Sequence, residues 1–234
     1  MINFSSTKEI PSDFPHIMVD SGGYQLQSGT DTLRNINAEH YCLWLELELK
    51  NYPDLQYMNL DIKGNDEQSV KNLHYMEKNG LHPIPVWHGT TWDGENYYLD
   101  YYCSNYEYVA IGGMVVRDRE LNLYKMFQYI NQKYPTVKFH LLGIGSRLSS
   151  IINYLIPYST DASSWMVTER FGNKIELVNG LLKELELSEE DKKRVREDKV
   201  FALDRVRKNI RNTKEFEFLI NKMVKPSEVQ PYLL

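Results

Sequence analysis

The sequence predicts an α/β fold, because short β-rich runs alternate with longer stretches whose apolar residues recur at helical spacing. Strands that alternate with helices form βαβ units and a mainly parallel sheet. A chain of 234 residues, 42% of them hydrophobic, can bury one sizeable core, which a single barrel or doubly wound sheet uses in full. The predicted strands are 2–4, 16–20, 56–61, 83–88, 108–113, 138–145 and 158–161, and the helical stretches between them are 35–52, 66–80, 121–134 and 146–156.

Polar and glycine residues collect at the carboxyl ends of these strands. In a TIM-barrel-like (β/α) barrel, that face carries the active site. Since seven strands can be read, we expect a barrel over residues 1–175 that is irregular or has fewer than eight strands. Residues 176–234 are rich in charged residues and contain leucines at intervals, which predicts a helical C-terminal extension with Ser188 as an N-cap.

The charge is unevenly distributed, although the net charge of the chain is only −5. Residues 192–214, which we call the basic segment, contain ten Lys or Arg and three acidic residues, a local charge of +7. Such a segment can bind nucleic-acid phosphates, and a solvated helix face is the simpler alternative. The predicted phosphate contacts are Arg170, Lys192, Lys193, Arg194, Arg205, Arg207, Lys208 and Arg211.

Several classes of protein are disfavoured by what the sequence lacks. No apolar run is long enough to span a membrane and no secretory signal is readable, so we expect a cytoplasmic protein without membrane contact. Cys42 and Cys103 have no Cys or His at ligand spacing, which predicts two ordinary buried thiols and no metal site. A serine hydrolase is disfavoured because the Gly-x-Ser-x-Gly motif is missing.

Three aspartates end predicted strands: Asp20, Asp61 and Asp161. Any one of them is as often a turn or capping residue as a functional one. Three aspartates at the carboxyl ends of strands on the same face are a stronger observation, because carboxylates can divide the nucleophilic and acid/base roles of glycosyl transfer. His88 also ends a strand and can face the pocket, whereas His140 lies within a strand and is as readily a core residue. Glycines follow the strands at positions 22, 23, 112, 113, 143 and 145, where a missing Cβ lets the backbone approach a flat ligand.

The ordered blocks VDSGGYQ, NLD, PVWHG, YVAIGGM, HLLGIGS and STDASSW resemble the tRNA-guanine transglycosylase family over residues 16–172. Those enzymes are TIM barrels that exchange a guanine for a 7-deazaguanine on an intact nucleic acid strand. This chain lacks the family's Cys-x-Cys-x-x-Cys zinc motif and its longer N-terminal stretch. It resembles a compact branch known from bacteriophages and related elements, which is associated with inserting 7-deazaguanines into DNA rather than tRNA.

The resemblance implies a role for each matching residue. Asp161 matches the nucleophile that forms a covalent glycosyl-enzyme, Asp20 the general acid/base, and Asp61 the reader of the purine amino/imino edge. His88 falls near the family's glutamine, so the contact to the base carbonyl is altered there. The remaining base contacts implied are the backbone of Gly112 and Gly113 and the sandwiching residues Tyr24 and Leu142.

The resemblance also implies partners. The expected substrates are a nucleic acid, DNA rather than tRNA, and a free 7-deazaguanine base such as preQ0 or preQ1, with no other cofactor and no zinc. A homodimer in the cytoplasm, the host cytoplasm for a phage-encoded protein, is expected. Three alternatives stay open: a tRNA-directed enzyme, a non-catalytic subunit of such an enzyme, and an unrelated barrel that binds phosphate with its glycine loops.

Overall fold

The computed structural model describes residues 2–4, 10, 17–22, 37–89, 92, 94–113, 120–161 and 172–223. The fold is mixed α/β with parallel sheets, which confirms the predicted class. The described strands do not form a closed barrel. The chain divides into two compact units, the first made of residues 1–113 and 134–139 and the second of residues 114–133 and 140–234. The predicted domain boundary at residue 175 stays a prediction.

Among its described residues, the first unit holds five complete strands and three helices. The strands are β1 (Ile2–Asn3), β2 (Met18–Asp20), β3 (Gln56–Tyr57), β4 (Val86–His88) and β5 (Tyr108–Gly112). The helices are α1 (Ala38–Asn51), α2 (Asp66–Lys78) and α3 (Tyr97–Asn105). All five strands fall where the sequence predicts them.

The strands of the first unit are parallel and follow one another in chain order. β1, β2 and β3 form one sheet, and β4 pairs with β5 in the register Val86 to Ala110. A single parallel bridge between Met58 and Ile84 joins the end of β3 to the approach to β4. The carboxyl ends of these strands therefore point in one direction.

Each helix of the first unit begins at an asparagine that caps it. The side-chain oxygens of Asn37, Asn65 and Asn96 accept hydrogen bonds from backbone N–H groups of the first turn, at 2.9–3.1 Å. Asparagine is among the best N-cap residues because its oxygen satisfies a donor that the helix itself leaves unpaired. These caps fix where each helix begins after its strand.

The core of the first unit packs α1 against β2 and β3. Val19, Tyr41, Leu45 and Leu60 are almost completely buried there. Cys42 belongs to the same core, and burial together with the charge of Glu46 raises the pKa of its thiol to about 11. Both cysteines are buried thiols, as predicted.

The second unit contains α4 (Glu120–Lys133), the end of β6 (Lys138–Leu141), a 3₁₀ turn (Gly145–Arg147), α5 (Leu148–Ile151) and β7 (Ser159–Thr160). β6 begins in the first unit, and its last two residues pair in parallel with β7. The predicted helix over 146–156 is shorter than expected. It ends well before Pro157, which disfavours helical backbone in the preceding residue.

The prediction of helix from residue 176 onward is wrong for the first part of this segment. β8 (Asn173–Val178) and β9 (Leu181–Glu186) form an antiparallel hairpin. Asn179 and Gly180 have φ angles of 54° and 77°, which the two central residues of a type I′ turn require. The Asn-Gly dipeptide therefore outweighs the helix-like spacing of the leucines around it.

The helical prediction is confirmed from residue 188 onward. α6 (Glu189–Glu197) begins at Ser188, whose Oγ accepts a hydrogen bond from Asp191 N at 3.1 Å, and α7 (Lys199–Met223) follows. Asn209 and Asn212 of α7 bond the backbone N–H and C=O of Ile175 at 3.0 and 2.8 Å. These contacts satisfy the backbone groups of Ile175 on the outer edge of β8, which limits pairing of that edge with other chains. In the part of the chain that the structure describes, no helix is long and apolar enough to cross a membrane.

Replacing Gly180 by alanine is expected to lower the free energy of unfolding by about 1–2 kcal/mol, because an L side chain is strained at this positive φ. No atom lies within 4 Å of the added Cβ, so the loss comes from the backbone and not from a clash. Urea unfolding measures it. The matched control Asn179→Gly keeps a residue that adopts positive φ and is expected to lose less; equal losses would contradict the turn.

Candidate active site

Polar side chains stand at the carboxyl ends of the parallel strands in the first unit. Asp20 is the last residue of β2, His88 the last of β4 and Gly112 the last of β5, while Asp61 lies three residues beyond the Met58 bridge. His88 and Gly112 are direct partners in the ladder between β4 and β5. The sequence prediction that these residues share one edge agrees with their strand positions.

The segment that carries Asp61 is held from two sides. Asn59 is completely buried; its Oδ1 accepts from Val86 N at 2.8 Å and its Nδ2 donates to Ser69 O at 3.2 Å. From α2, Asn72 Nδ2 donates to Leu60 O at 2.8 Å, and Ser69 Oγ accepts from Ile62 N at 2.8 Å. Asp61 therefore sits on a short loop that hydrogen bonds tie to both β4 and α2.

Asp61, His88 and Ser21 form a buried hydrogen-bonded cluster. Ser21 Oγ donates to Asp61 Oδ1 at 2.6 Å, and His88 Nε2 lies 2.6 Å from Asp61 Oδ2. The Asp61 and His88 side chains are 5% and 8% exposed. Asp61 stands between the other two, so Ser21 donates to a carboxylate and not to a histidine. This differs from the order of a catalytic serine triad, in which the histidine lies between serine and aspartate.

One nitrogen of His88 is left without a hydrogen bond. Its Nδ1 is buried and has no hydrogen-bond partner in the described part of the chain. An unsatisfied buried polar atom is costly, and it is a common mark of a site that a ligand completes. The cluster thus offers one polar ring atom to a ligand, while Asp61 orients the ring through its other nitrogen.

Asp20 directly precedes Ser21 in the sequence and is half-buried. Its Oδ1 accepts a hydrogen bond from Gly22 N at 3.3 Å. Gly22 has a φ of 79°, which glycine adopts without strain. The carboxylates of Asp20 and Asp61 both act on Tyr41: burial first, and then these two charges, raise the pKa of the Tyr41 hydroxyl well above its ordinary value. Tyr41 therefore stays neutral and donates to Met58 O at 3.1 Å.

Asp161 lies in the second unit, directly after β7. Its Oδ1 accepts a hydrogen bond from Gly143 N at 2.9 Å and lies 3.4 Å from His140 Nε2. The Asp161 side chain is 23% exposed, so the carboxylate is oriented without being closed off from solvent. Leu142, predicted to contact the base, lies half-buried in the turn between His140 and Gly143.

Sequence reasoning missed one residue in each unit and undervalued another in the second unit. Ser21 was given no role, although its position directly after Asp20 turns it toward the neighbouring strand end. Ser159 was also missed: it lies beside His140 in the ladder between β6 and β7, and its Oγ is 2.6 Å from His140 Nδ1. His140 is buried, as expected of a core residue, yet it faces Asp161.

The basic segment is partly neutralised within the second unit. Lys192 Nζ contacts Glu186 at 2.5 Å and Glu189 at 2.6 Å, and both carboxylates raise the pKa of this lysine. Other predicted phosphate ligands also have partners: Arg207 pairs with Asp204 at 3.2 Å, Lys208 approaches Glu176 at 3.7 Å, and Arg194 stacks on Phe201. Arg205 is half-buried, whereas Lys193 and Arg211 are exposed. Tyr24 and Arg170 lie outside the described residues.

No group of three or more His, Cys, Asp or Glu side chains that can hold a metal ion occurs among the residues that the structure describes. Comparisons with protein-family models, curated proteins and solved structures found no match to the chain.

Replacing His88 by leucine is expected to lower the free energy of unfolding by about 3–5 kcal/mol, because among the described residues the buried Asp61 carboxylate then keeps the Ser21 hydroxyl as its one hydrogen-bond donor. The double variant Asp61→Leu/His88→Leu removes both polar partners and is expected to lose clearly less than the sum of the single variants. Denaturant unfolding of the four proteins gives the coupling energy. Losses that simply add would mean that the two side chains do not interact.

Proposed function

We propose that the chain is a base-exchange transglycosylase that replaces guanine by a 7-deazaguanine in nucleic acid, DNA rather than tRNA, through a covalent glycosyl intermediate on Asp161. The resemblance of its motif blocks to the tRNA-guanine transglycosylases suggests the reaction. The positions of the aspartates, His88 and the glycines at strand ends support it, because that is where an α/β sheet presents its ligand sites.

The carboxylate of Asp161 supports this function most directly. A carboxylate that attacks the anomeric carbon of a glycosidic bond must be ionised, oriented and accessible to the substrate. Asp161 is partly exposed, and one of its oxygens is held by the backbone N–H of Gly143. The same contact disfavours a phosphate-binding role for the Gly143 N–H, because a carboxylate oxygen already occupies that donor.

The reaction needs no external energy source if the energy of the glycosidic bond is kept in a covalent bond between the sugar and the enzyme. Asp161 attacks C1′ of the nucleotide as the bond from C1′ to guanine breaks, and guanine leaves with the electron pair and takes a proton from Asp20. The free 7-deazaguanine then attacks C1′ after giving a proton to Asp20, and the bond to Asp161 breaks. Each half-reaction therefore uses the same two carboxylates in turn.

Recognition of the base is assigned to the cluster of the first unit. Asp61 can accept from the amino and imino groups of guanine, which a carboxylate suits because it only accepts hydrogen bonds. The backbone of Gly112 and Gly113 and the side chain of His88 complete the polar contacts. Gly113 has a φ of 78°, so its backbone takes a conformation that other residues adopt only under strain. Tyr24 and Leu142 are the proposed stacking residues.

A TIM-barrel-like architecture is the proposed fold, irregular or short of eight strands. Parallel strands that follow one another in chain order in the first unit support it, because a doubly wound sheet reverses its strand order part-way. A nucleotide must leave the base stack to reach a pocket at the mouth of such a barrel, which favours single-stranded or locally opened substrate. A homodimer in the cytoplasm is part of the same proposal.

Asp161→Asn is expected to abolish exchange of radiolabelled guanine into DNA, because an amide is too weak a nucleophile to displace the base. Incubating purified protein with labelled guanine and either DNA or tRNA, then counting the polymer, measures the exchange. Asp54→Asn, a change in an exposed turn, is the matched control and is expected to keep the wild-type rate. Exchange into tRNA alone would reassign the polymer, and full activity of Asp161→Asn would refute the mechanism.

Arg211→Gln is expected to weaken DNA binding and to reduce the slope of log K against log salt by about 1, since it removes one phosphate contact. Arg211 is exposed on α7 and makes no ion pair among the described residues. Fluorescence anisotropy over a series of salt concentrations measures the slope. The control Lys78→Gln makes the same change in net charge on α2. If it reduces the slope as much as Arg211→Gln does, the effect comes from the net charge of the protein and not from a phosphate contact on α7.

A further inference from the structure

His140, Ser159 and Asp161 are brought together by the pairing of two strands. His140 and Ser159 are direct partners in the parallel ladder between β6 and β7, and Asp161 lies two residues beyond Ser159. Because side chains two apart on an extended segment share a face, the imidazole of His140 reaches both Ser159 and Asp161. The three side chains form one short chain of polar contacts.

The contacts of His140 determine where its ring proton lies. Nδ1 is 2.6 Å from Ser159 Oγ, a hydroxyl that can donate as well as accept. Nε2 is buried, has no hydrogen bond of good geometry among the described residues, and lies 3.4 Å from Asp161 Oδ1. A lone pair on Nε2 would repel the carboxylate oxygen 3.4 Å away, which favours the tautomer with the proton on Nε2, in which Ser159 donates to Nδ1.

We propose that His140 is a positioning residue for the nucleophile: its Nε2–H, 3.4 Å from Asp161 Oδ1 in the free protein, closes to hydrogen-bond distance in the reacting complex and holds Oδ1 together with the Gly143 N–H, so that Oδ2 is the oxygen that attacks C1′. This inference rests on the proposed transglycosylase function, which it deepens by assigning separate tasks to the two oxygens of Asp161. Among the described residues no hydrogen bond to Oδ2 competes with that task.

The same two donors act in both half-reactions. In the first, a lone pair of Oδ2 forms the bond to C1′, the base leaves with the electrons of its glycosidic bond, and Oδ1 becomes the carbonyl oxygen of an ester. In the second, the deprotonated nitrogen of the incoming base forms a bond to C1′ and Oδ2 leaves with its electron pair. Negative charge then returns to the carboxylate, and donors fixed at Oδ1 stabilise it as it develops.

His140→Leu and His140→Gln separate this role from simple packing. Glutamine can place an N–H near the position of Nε2, whereas leucine fills the space without a donor. With DNA that carries its label in the deoxyribose of a single guanine nucleotide, rapid quenching gives the rates at which the covalent adduct forms and is consumed by free base. His140→Leu is expected to slow consumption of the adduct about 100-fold. The KM for free base should stay unchanged, and His140→Gln should stay near the wild-type rate.

Ser159→Ala keeps the ring but removes the hydroxyl that fixes its proton, and it is expected to slow the same step about 10-fold. This milder variant keeps the test usable if His140→Leu does not fold. The matched control is His82→Gln at an exposed histidine, which is expected to leave both rates unchanged.

The outcomes distinguish this inference from the function on which it rests. If the wild-type protein forms an adduct that His140→Leu consumes at the wild-type rate, the positioning role is wrong and the proposed function stands. His140→Gln that is as slow as His140→Leu also refutes the role, because a donor at Nε2 then has no effect. Absence of any adduct with wild-type protein, on DNA or tRNA, overturns both.

Discussion

The buried carboxamide of Asn59 joins β3 to β4 at the point where their backbone pairing ends. The two strands share one bridge, between Met58 and Ile84, and two residues after Ile84 the N–H of Val86 donates to Asn59 Oδ1 instead of to a backbone carbonyl. Moving two residues along each segment leads from Asn59 to Asp61 and from Val86 to His88, which are also hydrogen-bonded to each other. The side-chain contact of Asn59 thus sets the register in which the polar cluster forms.

The two aspartates that neighbour a histidine differ in burial, and the difference suggests different tasks. Asp61 is almost completely buried and both of its oxygens accept strong hydrogen bonds, so it is suited to read a ligand at a fixed place. Asp161 is more exposed and is held through one oxygen, so it is suited to form a bond. In each case the histidine has one ring nitrogen that forms no hydrogen bond among the described residues.

Much of the fold and some of the site can be predicted from the sequence, because strands of this kind end at recognisable residues. Asp20 and His88 end strands as predicted, and β5 ends at Gly112, one residue before its predicted end, since polar and glycine residues there interrupt β-rich runs. The hairpin at Asn179 and Gly180 was mistaken for helix, because local backbone chemistry outweighs leucine spacing. Partners distant in the chain, such as Asn209 for Ile175 and Ser159 for His140, follow from packing and have no local signal.

The central claim is that Asp161 becomes covalently bonded to the nucleic acid. The most direct test is tandem mass spectrometry of wild-type protein that has been mixed with guanine-containing DNA, denatured within the reaction time and digested. We expect a deoxyribose adduct on the peptide that contains Asp161, with fragment ions that place it on this residue, and its loss when excess free guanine is added before quenching. An adduct on another residue, or an unmodified peptide under conditions in which labelled guanine enters DNA, would contradict the account.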